Sequence, residues 1–166
     1  AYLRDSPQLC ERIIDWAQAT PRGYPLLVRL VKGAYWDHEI VEARQHGWGV
    51  PVFEVKAESD RNFEALTRRL LDARGAVRPA IASHNLRSVA HAIAYDQLAG
   101  GAGADVEFQV LRGLGDPLGH AIAAGPARAH LLPRRRPGRR HGVPRAPAAR
   151  EHVERLVPRR PGEGRP

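Results

Sequence analysis

Short apolar runs alternate with longer segments of helical periodicity over the first three quarters of the chain. The clearest run, Leu26–Val31, is apolar except for Arg29. Alternation of this kind predicts strand–helix–strand units, an α/β fold and a parallel sheet. Residues 26–33, 79–84 and 106–112 are predicted to be neighbouring parallel strands, out of about four, with helices on one side. A run as apolar as Leu26–Val31 also predicts a strand that is covered on both faces.

Two helix starts are predicted from capping residues. Ser59 or Asp60 precedes a helical pattern that ends near Gly75, and Asn85 precedes another that ends at Gly100. Side chains of these types accept hydrogen bonds from the unpaired N–H groups of a first helical turn.

The last 41 residues have a different composition from the rest. Residues 126–166 hold 12 Arg, 3 Glu and 8 of the 14 Pro, a net charge of +9, whereas residues 1–125 have a net charge of −1. The division predicted is a folded part, 1–125, and an irregular tail, 126–166, with at most a short helix near Ala148–Leu156. A basic arm that binds nucleic acid is the alternative function, but no aromatic residues interleave the arginines as such binding favours.

Other composition features narrow the class of protein. Cys10 is the only cysteine, which excludes an internal disulfide and fits a cytoplasmic location. No apolar stretch is long enough to span a membrane. His38 and Glu39 begin a zinc-protease motif, but Glu42 stands where the second histidine would be, so no metal site is predicted.

Functional residues in an α/β fold gather where strands end and helices begin. Arg29 lies inside an apolar strand, and a buried guanidinium is costly unless an anion or acceptor meets it. Lys32, Gly33 and Ala34 follow at the strand end, where Gly33 would let a ligand approach the backbone. The alternative for Arg29 is an internal ion pair.

A second strand end carries Ser83 and His84, although a single histidine there is also compatible with a structural role. A third carries Glu107 and Gln109, followed by Gly113 and Gly115. These glycines lack the spacing of a dinucleotide fingerprint.

Three motifs, VRLVKGAYWDHE (28–39), AIASHN (80–85) and EFQVLRGLGDPL (107–118), closely resemble those of bacterial proline dehydrogenases, in the same order and at similar intervals. The resemblance covers residue 1 to about residue 125. It is strongest to the catalytic barrel of the long bacterial forms, in which an aldehyde dehydrogenase domain follows.

The resemblance implies part of a distorted (β/α)8 TIM-type barrel that binds FAD at the carboxyl ends of its strands. It implies oxidation of L-proline to Δ1-pyrroline-5-carboxylate, with the electrons passed to a quinone and the full enzyme associated with the inner face of the membrane. Arg29 would lie beside the flavin as the catalytic residue. The cofactor would be held by Arg29, Lys32, Gly33, Ala34, Ser83 and His84.

The chain departs from the family pattern at both ends. The family's substrate lysine and active-site aspartate would precede Ala1, and a final strand and helix with an arginine pair would stand where the tail is. Residues 141–158, back-translated with permitted codons and read one base later, give MAYLVRRLLENTSNDSF, the family segment. The stretch from His130 likewise gives TYCPVGDLVAG. A frameshift from about His130 is therefore predicted, with no strand from this region completing the sheet and no proline oxidation by the chain alone.

Overall fold

The computed structural model describes residues 1–101, 103 and 106–125, together with the backbone of residues 128–132. These residues lie within one compact unit. The elements, in chain order, are α1 (Ser6–Ala19), β1 (Leu26–Val31), α2 (Trp36–Gln45), α3 (Lys56–Asp72), β2 (Val77–Ala82), α4 (Leu86–Leu98), β3 (Glu107–Leu111), α5 (Asp116–Ala123) and β4 (Arg128–Leu132).

The strands form one parallel sheet in the order β1-β2-β3-β4. Leu30 of β1 lies opposite Ile81 of β2, and Ile81 lies opposite Phe108 of β3. The predicted set of neighbouring parallel strands is therefore confirmed, although β2 begins at Val77 rather than at residue 79.

One face of the sheet carries the hydrophobic core. Helices α1, α3, α4 and α5 pack against it through alternate residues of the strands. Its large side chains that are at most 2% exposed include Phe63, Leu70, Leu71, Val77, Ile81 and Phe108. Burying apolar groups of this size removes them from water and is the main stabilisation of the fold.

The other face of the sheet has no helices packed on it among the described residues, and we call it the open face. On β1 it carries Leu27, which is 55% exposed, Arg29, and Val31, which is 39% exposed. The prediction that this strand is covered on both faces is therefore wrong for the described part of the chain. Helices α1, α3, α4 and α5 all cover the same side, so β1 alternates between more buried and exposed residues.

The two predicted helix starts have different outcomes. Asn85 caps α4 as predicted, since its Oδ1 accepts a hydrogen bond from the Ser88 backbone nitrogen at 3.1 Å. Helix α3 instead begins at Lys56, after Val55, so a start at Ser59 or Asp60 is wrong. Asp60 lies one turn inside the helix, and its carboxylate is hydrogen-bonded to lysine side chains rather than to the first turn.

Part of the predicted irregular tail is a strand. Arg128–Leu132 (β4) pairs with β3 in parallel, with Arg128 opposite Glu107 and Leu132 opposite Leu111. The prediction that nothing after residue 126 completes the sheet is wrong for these residues, because the unpaired edge of β3 offers hydrogen-bonding groups to any extended segment beside it. The frameshift hypothesis excluded such a strand, so β4 counts against it, and the codon argument alone supports it. Residues 133–166, including the predicted short helix, lie outside the described residues.

None of the helices in the described part of the chain is both long and apolar enough to cross a bilayer.

Candidate functional site

A cleft of about 530 Å³ lies at the carboxyl ends of β1, β2 and β3. We call it the strand-end cleft. It is lined by all six residues selected from the sequence, which are Arg29, Lys32, Gly33, Ala34, Ser83 and His84. The structure thus brings together residues from two strand ends that are about fifty positions apart in the chain. Lys56, Asn85, Gln109 and Leu111 line the same cleft.

A second, larger cavity of about 650 Å³ lies below the amino end of β1, around Arg22 and Asp72. Both charged groups already have partners. Arg22 donates to the Ala17 carbonyl oxygen at 3.0 Å, and Asp72 accepts from the Tyr95 hydroxyl at 2.9 Å. We therefore place the functional site in the strand-end cleft, where charged groups remain for a ligand.

Arg29 lies on the open face, with Ala80 of β2 opposite it and Glu107 of β3 opposite Ala80. Its side chain is exposed, so the expectation of a buried guanidinium is wrong. It forms no ion pair with any residue that the structure describes. The alternative of an internal ion pair therefore has no support here. The exposed guanidinium lines the strand-end cleft, where it can meet an anion or another acceptor.

Lys32 follows β1 and joins two other charged groups at the mouth of the cleft. Its Nζ lies 2.5 Å from Oδ1 of Asp60, and the Nζ of Lys56 hydrogen-bonds the other carboxylate oxygen of the same aspartate. Hydrogen bonds from Lys32 and then from Lys56 lower the pKa of Asp60 below its usual value. The three groups carry a net charge of about +1 beside the cleft.

Gly33 has a role that the sequence did not indicate. Its φ of +126° is a conformation that side chains rarely adopt. A Cβ at this position would lie 1.6 Å from Cδ1 of Tyr2. The ring of Tyr2 thus packs where a Gly33 side chain would stand, and the glycine is required for that packing. Gly33 still lines the cleft.

His84 connects the end of β2 to the end of β3. Its Nε2 accepts a hydrogen bond from the Leu111 backbone nitrogen at 2.8 Å. This bond assigns the ring proton of the neutral imidazole to Nδ1. A Cβ on Gly115 would lie 2.7 Å from the imidazole, so the glycine leaves room for the ring. The structural role considered from the sequence is therefore present, and it leaves Nδ1 as a hydrogen-bond donor.

Ser83 belongs to the turn that starts α4. Its hydroxyl oxygen accepts a hydrogen bond from the backbone nitrogen of Asn85 at 3.1 Å. The hydroxyl proton is then available to a second acceptor in the cleft.

Gln109 forms part of the floor of the cleft and is 9% exposed. Its Nε2 donates to Oε1 of Glu107 at 2.6 Å. Its Oε1, like Nε of Arg78, is buried without a hydrogen-bond partner among the described residues. Buried polar atoms of folded proteins usually have a partner, so the Gln109 acceptor is available to a water molecule or a ligand in the cleft.

Two of the residues at the cleft, Lys56 and Asp60, were not predicted from the sequence. Their spacing, four residues apart, is a signal for a helical ion pair. It was hidden because the helix was predicted to begin only at Ser59 or Asp60. Gln109 was noted at the third strand end without a role, and the structure places it at the cleft.

The lining of the cleft combines cations and hydrogen-bond donors with apolar side chains. Arg29, Lys32 and Lys56 supply positive charge, His84 supplies a donor, and Leu111 supplies apolar surface. Such a lining suits a ligand that carries negative charge beside an apolar part. No three His, Cys, Asp or Glu side chains in the described part of the chain lie close enough to hold a metal ion.

Comparison with known proteins gives a consistent set of relatives. The family model for proline dehydrogenase matches residues 1–133. The bifunctional protein PutA of Escherichia coli is 39% identical over 121 residues, which are 71% of this chain and 9% of that protein. Hydroxyproline dehydrogenase of Xenopus laevis is 32% identical over 96 residues, 55% of this chain and 20% of the relative.

Solved structures show the same likeness. Proline utilization A from Bdellovibrio bacteriovorus, inactivated by N-propargylglycine, matches with a TM-score of 0.74 and 43% identity over 80% of this chain and 14% of that one. The protein from Corynebacterium freiburgense gives a TM-score of 0.72 and 32% identity over the same share of this chain. The α/β architecture and parallel sheet are thus consistent with part of the barrel of these proteins. The chain spans only a small part of their length.

Proposed function

This chain belongs to the proline dehydrogenase family, and on that premise we propose that its strand-end cleft binds FAD and serves the oxidation of L-proline. The observation that supports the proposal most directly is the convergence of Arg29, Lys32 and His84 on one cleft. These residues come from two of the three motifs that resemble the family. The donor set of the cleft also fits the group, because a flavin dinucleotide has an electron-rich ring edge and a diphosphate.

The chemistry that FAD would supply when bound is a two-electron oxidation, in which L-proline gives up a hydride from the ring carbon next to its nitrogen and a proton from the nitrogen to solvent, leaving Δ1-pyrroline-5-carboxylate. The electrons would then pass to a quinone. The task of this chain is to hold the ring and the diphosphate in place and to supply charge at the ring. A fixed cation at the site where negative charge develops lowers the barrier without reorganisation.

Arg29 is the residue proposed for that cation. Its place on the open face beside the cleft lets the guanidinium reach a ring held at the strand ends. The Nδ1–H of His84 and the hydroxyl of Ser83 would donate to the cofactor from the end of β2. The backbone of Gly33 and Ala34 and the ammonium of Lys32 would contact it from the end of β1.

The isolated chain is not expected to turn over proline. Arg29 and its neighbours Leu27 and Val31 are exposed on the open face, so water would reach the reacting atoms. Closed, water-excluded sites are what make fixed charges effective in catalysis. An assay with proline and a quinone or dye acceptor should therefore show no measurable rate for the 166-residue chain, and robust turnover would contradict this part of the proposal.

The binding proposal is tested by titrating the chain into FAD and following flavin fluorescence. We expect saturable quenching by the wild-type chain and about a tenfold weaker affinity for Arg29→Met, since a charge-assisted contact is lost. Arg12→Met is the matched control, because Arg12 is exposed on α1 away from the cleft. Absence of binding, or equal affinity of both variants, would contradict the proposal.

The quinone acceptor, a peripheral association with the membrane and a cytoplasmic location remain parts of the proposal, supported by the family alone. The alternative of a nucleic-acid-binding arm depends on residues 133–166, which lie outside the described residues. No described feature of the chain favours it.

A further inference from the structure

The loop between β1 and α2, residues 32–35, is enclosed by a circuit of hydrogen bonds from distant parts of the chain. We call it the β1–α2 loop. The Tyr2 backbone nitrogen donates to the Lys32 carbonyl oxygen at 2.9 Å, and the Phe53 backbone nitrogen donates to the Tyr2 carbonyl oxygen at 2.8 Å. The indole Nε1 of Trp36 donates to the Phe53 carbonyl oxygen, also at 2.8 Å. The circuit therefore joins the two ends of the loop, at Lys32 and at Trp36.

The ring of Tyr2 supports the same loop from the side. It lies where a Cβ on Gly33 would stand, while Gly33 itself lines the strand-end cleft. Glycine has more backbone freedom than any other residue, so a loop that contains one is ordered by contacts from outside. Tyr2 is not among the described residues that line the cleft, so it can act on a ligand only through this loop.

The segment that carries Tyr2 is itself fixed to the fold. Leu3 forms an antiparallel bridge with Val52, which is fully buried. The backbone nitrogen of Arg4 donates to the Pro51 carbonyl oxygen, and its Nε donates to the Val52 carbonyl oxygen, each at 2.9 Å. The ring of Tyr2 is therefore presented from a firm support, as the positioning of a binding site requires.

We propose that Tyr2 is a positioning residue of the strand-end cleft, whose ring holds the β1–α2 loop in the conformation that faces a ligand. The inference rests on the proposed function for the identity of that ligand. It adds a residue that lies outside the three motifs and outside the cleft. Because a site binds in proportion to the fraction of molecules in the competent conformation, loss of the ring lowers affinity without removing a contact to the ligand.

The test compares variants of Tyr2 in the full chain by titration into FAD. We expect Tyr2→Ala to weaken FAD binding about fivefold or more, as when the competent fraction of the loop falls to about a fifth. Tyr2→Phe keeps the ring, and we expect it to bind FAD as the wild type does. Tyr24→Ala is the matched control, because it removes an exposed tyrosine that precedes the opposite end of β1.

A second control separates positioning from a general loss of stability. Ile14→Val removes a methyl group from the core at α1, so it should lower the urea midpoint and leave FAD affinity unchanged. Circular dichroism without urea checks that each variant is folded, and Tyr2→Leu takes the place of Tyr2→Ala if the latter is not. If the Tyr2 variant weakens FAD binding no more than Ile14→Val does, the inference is overturned while a flavin site stands.

The fluorescence of Trp36 reports on the loop without any ligand, in a chain whose other two tryptophans carry Trp16→Phe and Trp48→Phe. We expect Tyr2→Ala to shift the Trp36 emission and to increase its quenching by acrylamide, and Tyr2→Phe to change neither. Unchanged emission and quenching in Tyr2→Ala would overturn the inference. If no variant binds FAD, the proposed function is overturned, and the Trp36 signal alone then supports or overturns the positioning of the loop.

Discussion

The same strands form both faces of the sheet, yet the residues of one face form the core and those of the other line the cleft. On the helix-covered face, Ile81 and Phe108 are almost fully buried within the hydrophobic core. On the open face, Arg29 and Gln109 present a charge and an unsatisfied buried acceptor to the cleft. Because side chains alternate across a strand, stability and function are separated by a single step along the chain.

The sharpest test of this division compares two adjacent residues of β3. Phe108→Ala should lower the free energy of unfolding by about 3–5 kcal/mol, because it leaves a cavity in the core. Gln109→Leu keeps the volume and removes a buried acceptor that has no partner, so it should change stability by about 1 kcal/mol at most. Urea denaturation followed by circular dichroism measures both. Equal losses would mean that the two faces do not differ as described.

A smaller change in the free energy of unfolding is expected at Asp60, because the substitution removes ion pairs and not buried apolar area. Asp60→Asn should lower the free energy of unfolding by about 1 kcal/mol at pH 7, since the ion pairs are partly exposed. The lysine hydrogen bonds lower the pKa of this carboxyl in the folded chain. Its stabilisation is therefore present above its ordinary pKa of about 4 and is lost as the pH falls through the lowered value.

The difference between the wild type and Asp60→Asn should accordingly shrink in denaturation experiments at pH 3 or below. Other paired carboxylates, such as Glu11 and Glu64, titrate in both proteins and cancel in this difference. A difference that is constant from pH 7 to pH 2 would show that the charge of Asp60 does not stabilise the fold.

The smallest effect is expected for an apolar residue on the open face. Leu27 is 55% exposed, and Leu27→Thr keeps a residue suited to a strand. We expect a change of about 0.5 kcal/mol or less in the free energy of unfolding, together with less aggregation of the chain in light scattering. A loss of more than about 2 kcal/mol would indicate that something covers this face in solution.

The fold was largely predictable because its signals are local and repeated. The apolar run Leu26–Val31 and the cap at Asn85 each identify an element without knowledge of the rest. The coverage of β1 was not predictable, because it depends on which side the helices pack. The strand at Arg128–Leu132 was missed for a related reason, since its pairing is supplied by the edge of β3 and not by its own composition.

The candidate site was predictable where residues lie at strand ends. Lys32 and His84 are polar residues that follow apolar runs, and Arg29 is a charged residue inside one. The structure places all three at one cleft. Lys56 and Asp60 lie on α3, which is distant from β1 in the sequence and comes beside the end of β1 only in the folded structure. The purpose of Gly33 also depends on a distant residue, because the ring beside it belongs to Tyr2. Contacts of this kind have no signature in the local sequence.

The sequential order of the strands also bears on how the chain reaches its structure. A single helix joins β2 to β3, and a single helix joins β3 to β4, whereas both α2 and α3 lie between β1 and β2. The entropy lost in closing a loop grows with its length, and contacts between distant segments form late. We therefore expect the unit from β2 to β4 to assemble first and β1 to join it afterwards. Arg29 and Lys32 would then reach the cleft only in the last step of folding, so a ligand that requires them should slow unfolding more than it speeds folding.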